Sequence, residues 1–190
     1  MVSRLMAVVF GLCVSVLLAA PAAAVEVEGV EVSESKTVDG TNLVLNGVGV
    51  RSKFFIDLYV GALYLPAKSS DEAAILPADE VQALALHVIS GRINSDNMTE
   101  ATLEGFENST GGNTAPIQDE IDQLLTVFAD EINEGDVFEL VYVPGDGVRV
   151  IKNGKLGDTI GDRAFKEALF GIWLGDEPAQ GSLKDDMLDD

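Results

Sequence analysis

The sequence feature that most constrains the fold is a long apolar stretch, NGVGVRSKFFIDLYVGALYL, at residues 46–65. Counted with the two-residue period of a strand, the positions from Phe54 to Tyr64 and the alternate positions from Phe55 to Leu65 are both largely apolar. A strand with two apolar faces has to be covered on both sides. We therefore predict a central strand from Phe54 to Leu65 that ends at Pro66.

Arg51 precedes this predicted strand, and Asp57 and Tyr59 lie near the beginning of the strand. A buried, unpaired guanidinium costs several kcal/mol, so an anion is expected beside it. If the strand has no bulge, the three odd-numbered side chains point to one face. The anion is then either the Asp57 carboxylate or the carboxylate of a ligand, which a guanidinium binds with two hydrogen bonds and a phenol with a third. The residues alone favour an Arg51–Asp57 pair, or an Arg51 that reaches water from a turn.

Residues 1–24 have the pattern of a secretory signal peptide. Arg4 precedes the apolar run LMAVVFGLCVSVLLAA, and the small residues 22–24 fit cleavage after Ala24. The run is short for a membrane span, and no second apolar run follows. We expect a secreted or periplasmic domain at residues 25–190 without a stable membrane span after cleavage. A retained N-terminal anchor is the less favoured alternative.

Charge and composition exclude several functions. The formal net charge is −20, and such an acidic surface repels nucleic acid and anionic lipid headgroups. Cys13, the only cysteine, lies in the predicted signal peptide, so the exported domain has no disulfide and no thiolate site. His87 is the only histidine, which excludes a histidine-rich metal site. We expect no metal, no cofactor and no nucleic-acid partner.

The remaining pattern alternates between strands and helices. The residues 25–36 suit an edge strand or arm, residues 69–76 a short helix capped by Ser69, and VQALALHVIS another strand. Apolar residues at helical spacing predict helices near residues 98–108 and 117–132 and from about Asp162 to Gly175, with a strand meander before the last. This order predicts one α+β domain with a largely antiparallel sheet.

Three stretches resemble the chalcone isomerase-like superfamily, in its bacterial exported branch. They are LNGVGVRSKFFIDLYVGALYLP, MTEATLEGFENST before an amphipathic helix, and AFKEALFGIWLGDEPAQGSLKDDML near the end. The resemblance implies an open-faced β-sandwich, in which a large antiparallel sheet packs against a layer of helices with a ligand cleft between them.

The resemblance also implies site residues. Fatty-acid-binding members hold a carboxylate with an arginine after GVGV and a tyrosine in a D-x-Y strand start, which match Arg51 and Tyr59 here. The isomerases place a threonine where this chain has Tyr59, and the segment SDNMTEATLEGFE lacks their tyrosine–asparagine pair. The last helix reads ALFGIWLG where they carry serine or threonine. The catalytic set of the isomerases is thus largely absent, and we assign no catalytic residue.

The sequence therefore predicts a non-catalytic, periplasmic binding protein for a small or fatty carboxylic acid. Arg51 and Tyr59 would bind the carboxylate, with Asp57 as a possible neighbour, and the hydrophobic tail would lie in the sheet–helix cleft. One alternative is an intramolecular lyase that closes a chalcone to a flavanone, with Arg51 stabilising the phenolate. Another is a periplasmic interaction module, for which a large exposed apolar patch would be the sign.

Overall fold

A computed structural model describes residues 23–189. The predicted signal peptide lies outside the described residues, apart from residues 23 and 24. The strands are β1 (Ala24–Val27), β2 (Val30–Ser33), β3 (Ser35–Val38), β4 (Thr41–Lys53), β5 (Ile56–Leu65), β6 (Gln82–Val88), β7 (Val137–Val143), β8 (Gly147–Lys152) and β9 (Lys155–Ile160). The helices are α1 (Glu72–Ile75), α2 (Ser95–Ser109), α3 (Gln118–Phe128), α4 (Arg163–Leu174) and α5 (Gly181–Leu188), with a 3-10 turn at Ala115–Ile117 before α3.

The main sheet contains strands β3 to β9 in sequence order, and each neighbouring pair is antiparallel. Helices α2 to α5 pack on one face of this sheet and bury a large apolar core with it. A separate β1–β2 hairpin contributes to a second apolar cluster on the other face. The predicted α+β architecture, a large antiparallel sheet against a layer of helices, is confirmed.

Strand β5 lies inside this sheet and is covered on both faces. Leu63 and Leu65 belong to the core under the helices, whereas Val60, Ala62 and Tyr64 belong to the cluster on the opposite face. All residues from 59 to 65 are buried. The prediction of a central strand that is covered on both sides is correct for this part of the chain.

The start of the predicted strand is wrong. Phe54 and Phe55 form the two-residue turn between β4 and β5, with φ angles of 53° and 63°. Left-handed backbone at both turn positions matches the twist of a tight hairpin, and Asn-Gly is its usual sequence signal. Because this turn consists of two phenylalanines, the hydrophobic pattern of the sequence does not distinguish it from the strand that follows. The strand begins at Ile56, opposite Lys53.

Glycines in β4 and β5 let helix α5 approach the sheet closely. A Cβ atom on Gly47 would lie 2.1 Å from the carbonyl oxygen of Asp186, and one on Gly61 would lie 2.4 Å from Cε of Met187. The strand register also shifts between Leu45 and Gly47, which forms a bulge at Asn46. The buried side chain of Asn46, at this bulge, donates a hydrogen bond to the carbonyl of Met187 at 2.8 Å. Helix α5 is therefore fixed directly onto β4.

Helix α4 has the boundaries that its sequence predicts. The Asp162 carboxylate accepts hydrogen bonds from the N–H groups of Ala164 and Phe165, and the helix ends before Gly175. Helix α1 is capped by Asp71 instead of the predicted Ser69.

Candidate carboxylate-binding site

Arg51 and Tyr59 are opposite each other on neighbouring strands. They are register partners in the β4–β5 pair, so their side chains lie on the same face of the sheet. This is the face that the helices cover, since Tyr59 belongs to the core beneath them. The hairpin therefore brings together the two residues that the sequence predicts to bind a carboxylate.

Tyr59 is buried and keeps its proton. Its hydroxyl oxygen accepts a hydrogen bond from the indole N–H of Trp173 at 2.8 Å. Burial raises the pKa of Tyr59, while the Trp173 hydrogen bond and the nearby charge of Arg51 oppose this shift. The phenol is thus neutral at physiological pH, and its O–H group can still donate a hydrogen bond. Trp173 lies on α4, far from Tyr59 in sequence, and the sequence did not predict this contact.

Arg51 is half-buried and has only neutral partners among the described residues. One of its terminal nitrogens, Nη1, donates to the carbonyl oxygen of Ser52 at 2.6 Å and to Oε1 of Gln180 at 3.0 Å. The six ion pairs within residues 23–189 do not include it. This is notable because the whole chain has 32 acidic residues. The guanidinium is therefore held in place without a carboxylate at ion-pairing distance among the described residues.

Gln180 connects the start of helix α5 to the end of strand β4. Its Oε1 also accepts from the backbone N–H of Ser52 at 2.9 Å, and its Nε2 donates to the carbonyl of Val50 at 3.2 Å. Its neutral carbonyl oxygen is thus shared between the Arg51 guanidinium and the backbone of β4. A single glutamine between Ala179 and Gly181 has no local pattern, so the sequence contained no signal for this role.

Asp57 is not the partner of Arg51. A bulge shifts the register so that Arg51 pairs with Tyr59 while Ser52 pairs with Asp57. The exposed carboxylate of Asp57 accepts from the hydroxyl of Ser52 at 2.6 Å. The expectation of a shared face assumed a strand without a bulge and is corrected here. Among the described residues there is no Arg51–Asp57 ion pair, and Arg51 does not simply extend into water.

The apolar space next to Tyr59 is filled by side chains of α5. Met187 and Leu183 lie against Gly61 in β5, beside the tyrosine ring. Two surface clefts, of about 470 and 390 Å³, lie elsewhere: one beside the end of α2, the other between β4 and α5 near Asn46. Neither is lined by Arg51 or Tyr59. Arg51 and Tyr59 are thus adjacent, while the apolar space next to Tyr59 is occupied by side chains of α5.

Lys166 is a buried charged residue whose burial the sequence did not predict. Its ammonium donates to the carbonyl oxygens of Leu76 and Ala78 at 2.7 and 2.8 Å and to Oε1 of Gln82 at 3.2 Å. Burial lowers the pKa of Lys166 to about 8. These contacts connect α4 to the segment after α1, which is a structural role. Lys166 was missed because a lysine in an amphipathic helix is normally placed on the solvent side.

Two further properties concern metals and membranes. Across residues 23–189, no three His, Cys, Asp or Glu side chains are grouped so that they could hold a metal ion. No helix in this range combines the length and the apolar character needed to cross a bilayer.

Comparison with known proteins identifies the family. The family model described as chalcone isomerase-like matches residues 24–189. The chain therefore belongs to the chalcone isomerase-like family, as the sequence motifs predicted. The crystal structure of a fatty-acid binding protein from Arabidopsis thaliana superposes with a TM-score of 0.69, covering 88% of this chain and 96% of that chain. At 17% sequence identity this likeness shows the fold. No curated protein sequence matches the chain.

Proposed function

We propose that this protein is a non-catalytic binding protein for a hydrophobic carboxylic acid. The observation that carries the proposal is the half-buried guanidinium of Arg51, which lies opposite a buried, protonated phenol and has no carboxylate partner among the described residues. The similarly folded Arabidopsis protein is described as a fatty-acid binding protein, which supports this ligand class.

The ligand carboxylate would exchange one hydrogen-bond partner of Arg51 for another. One ligand oxygen takes the place of Gln180 Oε1 at Arg51 Nη1, and the Tyr59 hydroxyl donates to the carboxylate. Trp173 already donates to the phenol oxygen, which leaves the phenol hydrogen to point towards the ligand. The carboxylate adds a Coulombic attraction to the guanidinium that the neutral amide oxygen of Gln180 does not supply, so the exchange favours the anion.

The hydrophobic tail would bind between β5 and helix α5. Leu183 and Met187 occupy this space, and α5 is attached to β4 at its start by Gln180. Methionine is flexible and adapts to irregular apolar surroundings. Displacement of Gln180 by the carboxylate would release the start of α5 and allow these two side chains to move from the tyrosine ring.

Calorimetric titration with dodecanoate tests the proposal. Arg51→Gln removes the charge, and we expect at least about a tenfold loss of affinity, because a hydrogen bond to a charged group contributes about 1.5–3 kcal/mol. Arg92→Gln is the matched control, since Arg92 is exposed and lies outside the site. Unchanged affinity in Arg51→Gln would contradict the proposal. Cyclisation of a chalcone that depends on Arg51 would instead establish the intramolecular lyase.

We also propose that the protein is exported, with cleavage after Ala24. N-terminal sequencing of the protein recovered from its native host should then begin at Val25. A mature protein that retains residues 1–24 would exclude this processing and favour the N-terminal anchor.

A further inference from the structure

The turn between β4 and β5 exposes a compact group of apolar side chains. We call Lys53, Phe54, Phe55 and Ile56 the aromatic tip. The exposed fractions are 84% for Phe54, 106% for Phe55 and 40% for Ile56. Most other large apolar side chains of the described residues lie in the two clusters that cover the sheet. The tip is therefore the most prominent apolar feature on the described surface.

The fold itself does not require these two aromatic rings. Both residues have left-handed backbone angles, which are unfavourable for bulky side chains, and neither ring belongs to an apolar cluster. The contact recorded for Phe54 is with the ammonium of Lys53, 6.0 Å from the ring centroid. Asn-Gly would form the same turn with less strain. Two strained, exposed phenylalanines indicate a contact outside the molecule.

We propose that the aromatic tip inserts into the interface of a zwitterionic lipid bilayer. The tip is a narrow projection formed by a two-residue turn, whereas a stable protein partner needs a contact of about 800 Å² on each side. Aromatic and aliphatic side chains bind at the boundary between headgroups and acyl chains. Lys53, directly beside them, can extend its ammonium to a lipid phosphate.

The charge of the molecule selects the type of lipid. Lys53 places a positive charge directly at the tip, where it is complementary to the lipid phosphate groups, while the nearby Asp57 carboxylate is bound by the Ser52 hydroxyl. The chain as a whole has a net charge of −20 and is repelled by an anionic membrane. We therefore expect binding to vesicles of phosphatidylcholine, with weaker binding as phosphatidylglycerol is added, and recovery of that loss at higher salt because salt screens the repulsion.

Docking at the tip has a consequence for the carboxylate site. Arg51 is three residues before Phe54, so insertion would place Arg51 and Tyr59 close to the membrane surface, where hydrophobic acids accumulate. This delivery role rests on the proposed function, whereas lipid docking itself does not.

Vesicle flotation with phosphatidylcholine tests the docking. The double variant Phe54→Asn/Phe55→Gly removes both rings and supplies the preferred residues of this turn. We expect at least about a tenfold loss of vesicle binding, since the variant lacks the two phenylalanine rings that would be buried in the bilayer. The Tm of the double variant should be equal to or higher than that of the wild-type protein. Leu156→Ser is the matched control: Leu156 is 52% exposed on the edge strand β9, four strands away from β5, and should not affect binding.

Any of three flotation results would overturn the inference: no flotation of the wild-type protein, undiminished flotation of the double variant, or an equal loss in Leu156→Ser. Dimerisation that the double variant abolishes would also overturn it, because the tip would then contact a second copy of the chain. Dodecanoate affinity, measured without vesicles, should be unchanged in the double variant. The double variant can thus lose flotation while it keeps dodecanoate binding, and Arg51→Gln can lose dodecanoate binding while it keeps flotation. The two proposals are therefore tested independently.

Discussion

Tyr59 can bind a carboxylate only while it keeps its proton, and its neighbours determine that it does. The hydroxyl lies in the core, where a phenolate would be poorly solvated, and the raised pKa of Tyr59 reflects this burial. Trp173 satisfies the oxygen atom of the phenol and leaves its hydrogen unused. At the scale of single residues, the site therefore combines a fixed cation with a neutral donor.

Replacing Tyr59 with phenylalanine tests this donor. Tyr59→Phe should weaken dodecanoate binding about fivefold, since a hydrogen bond contributes roughly 1 kcal/mol. It should also lower the free energy of unfolding by about 1 kcal/mol, because the Trp173 N–H loses its acceptor. Trp173, the only tryptophan, reports ligand binding by its fluorescence.

The matched control for Tyr59→Phe is Tyr64→Phe. The Tyr64 hydroxyl donates to the carbonyl of Ser33, and its ring belongs to the cluster on the opposite face of the sheet. Equal effects of the two substitutions on dodecanoate affinity would show that Tyr59 has no special role.

Lys166 makes stability depend on pH. Burial, which outweighs the attraction of Glu167 and Glu80, lowers the pKa of Lys166 from 10.5 to about 8. Between these values the unfolded chain binds more protons than the folded one, so the free energy of unfolding rises with pH. The penalty for burying the charge is largest below pH 8 and disappears above about pH 10.5.

The corresponding experiment compares wild-type protein with Lys166→Met by urea denaturation at several pH values. From pH 8 to pH 10 the wild-type protein should gain about 2 kcal/mol relative to the variant. The difference measurement removes the contributions of the other titrating groups. A difference that stays constant over this range would mean that the ammonium remains charged in the folded protein.

At the scale of elements, α5 packs against the β4–β5 hairpin beside Arg51 and Tyr59, and in the proposed function this contact would control access to them. The glycines of β4 and β5 allow the helix to lie against the strands, and Asn46 and Gln180 attach it at its two ends. Any ligand tail beside Tyr59 has to change this contact.

Gly47→Ala tests how closely the two elements pack. The new methyl group would overlap the backbone of Asp186, which cannot move without displacing α5, so we expect a loss of about 1–3 kcal/mol in the free energy of unfolding. Urea denaturation measures this loss. Gly181→Ala is the control, because a Cβ atom there meets open space at the start of the same helix. Equal stability of the two variants would show that α5 is not held closely on β4.

Elements were predictable from sequence where their signals are local. Helix α4 has both an N-terminal cap and a terminal glycine, and its range was predicted closely. The turn at Phe54 and Phe55 was missed because tertiary structure imposes left-handed backbone on residues that do not favour it. The bulge between Arg51 and Asp57 has no sequence signal either, and missing it led to the wrong orientation of Asp57.

For the whole molecule, the fold followed from sequence. The two-faced strand and the family motifs predicted a covered antiparallel sheet, and the motifs pointed to Arg51 and Tyr59, which the strand register places opposite each other. The contributions of Trp173 and Gln180 could not be predicted, because these residues come from α4 and from the segment before α5, far from the hairpin in sequence. Contacts of that kind depend on how layers pack.

The net charge of −20 predicts the effect of salt on the whole protein. Repulsion between like charges destabilises the compact state, and salt screens it. The Tm should therefore rise by a few degrees between low ionic strength and about 0.15 M NaCl, as followed by circular dichroism. A Tm that falls with added salt would show that the ion pairs contribute more than the repulsion.

The most direct test of the account is NMR of dodecanoate labelled with ¹³C at its carboxyl carbon. We predict a bound resonance whose pKa lies below that of the free acid, because the Arg51 guanidinium stabilises the carboxylate, and the loss of this resonance in Arg51→Gln. A bound resonance that is identical in wild-type protein and Arg51→Gln would contradict the central claim that Arg51 holds the ligand.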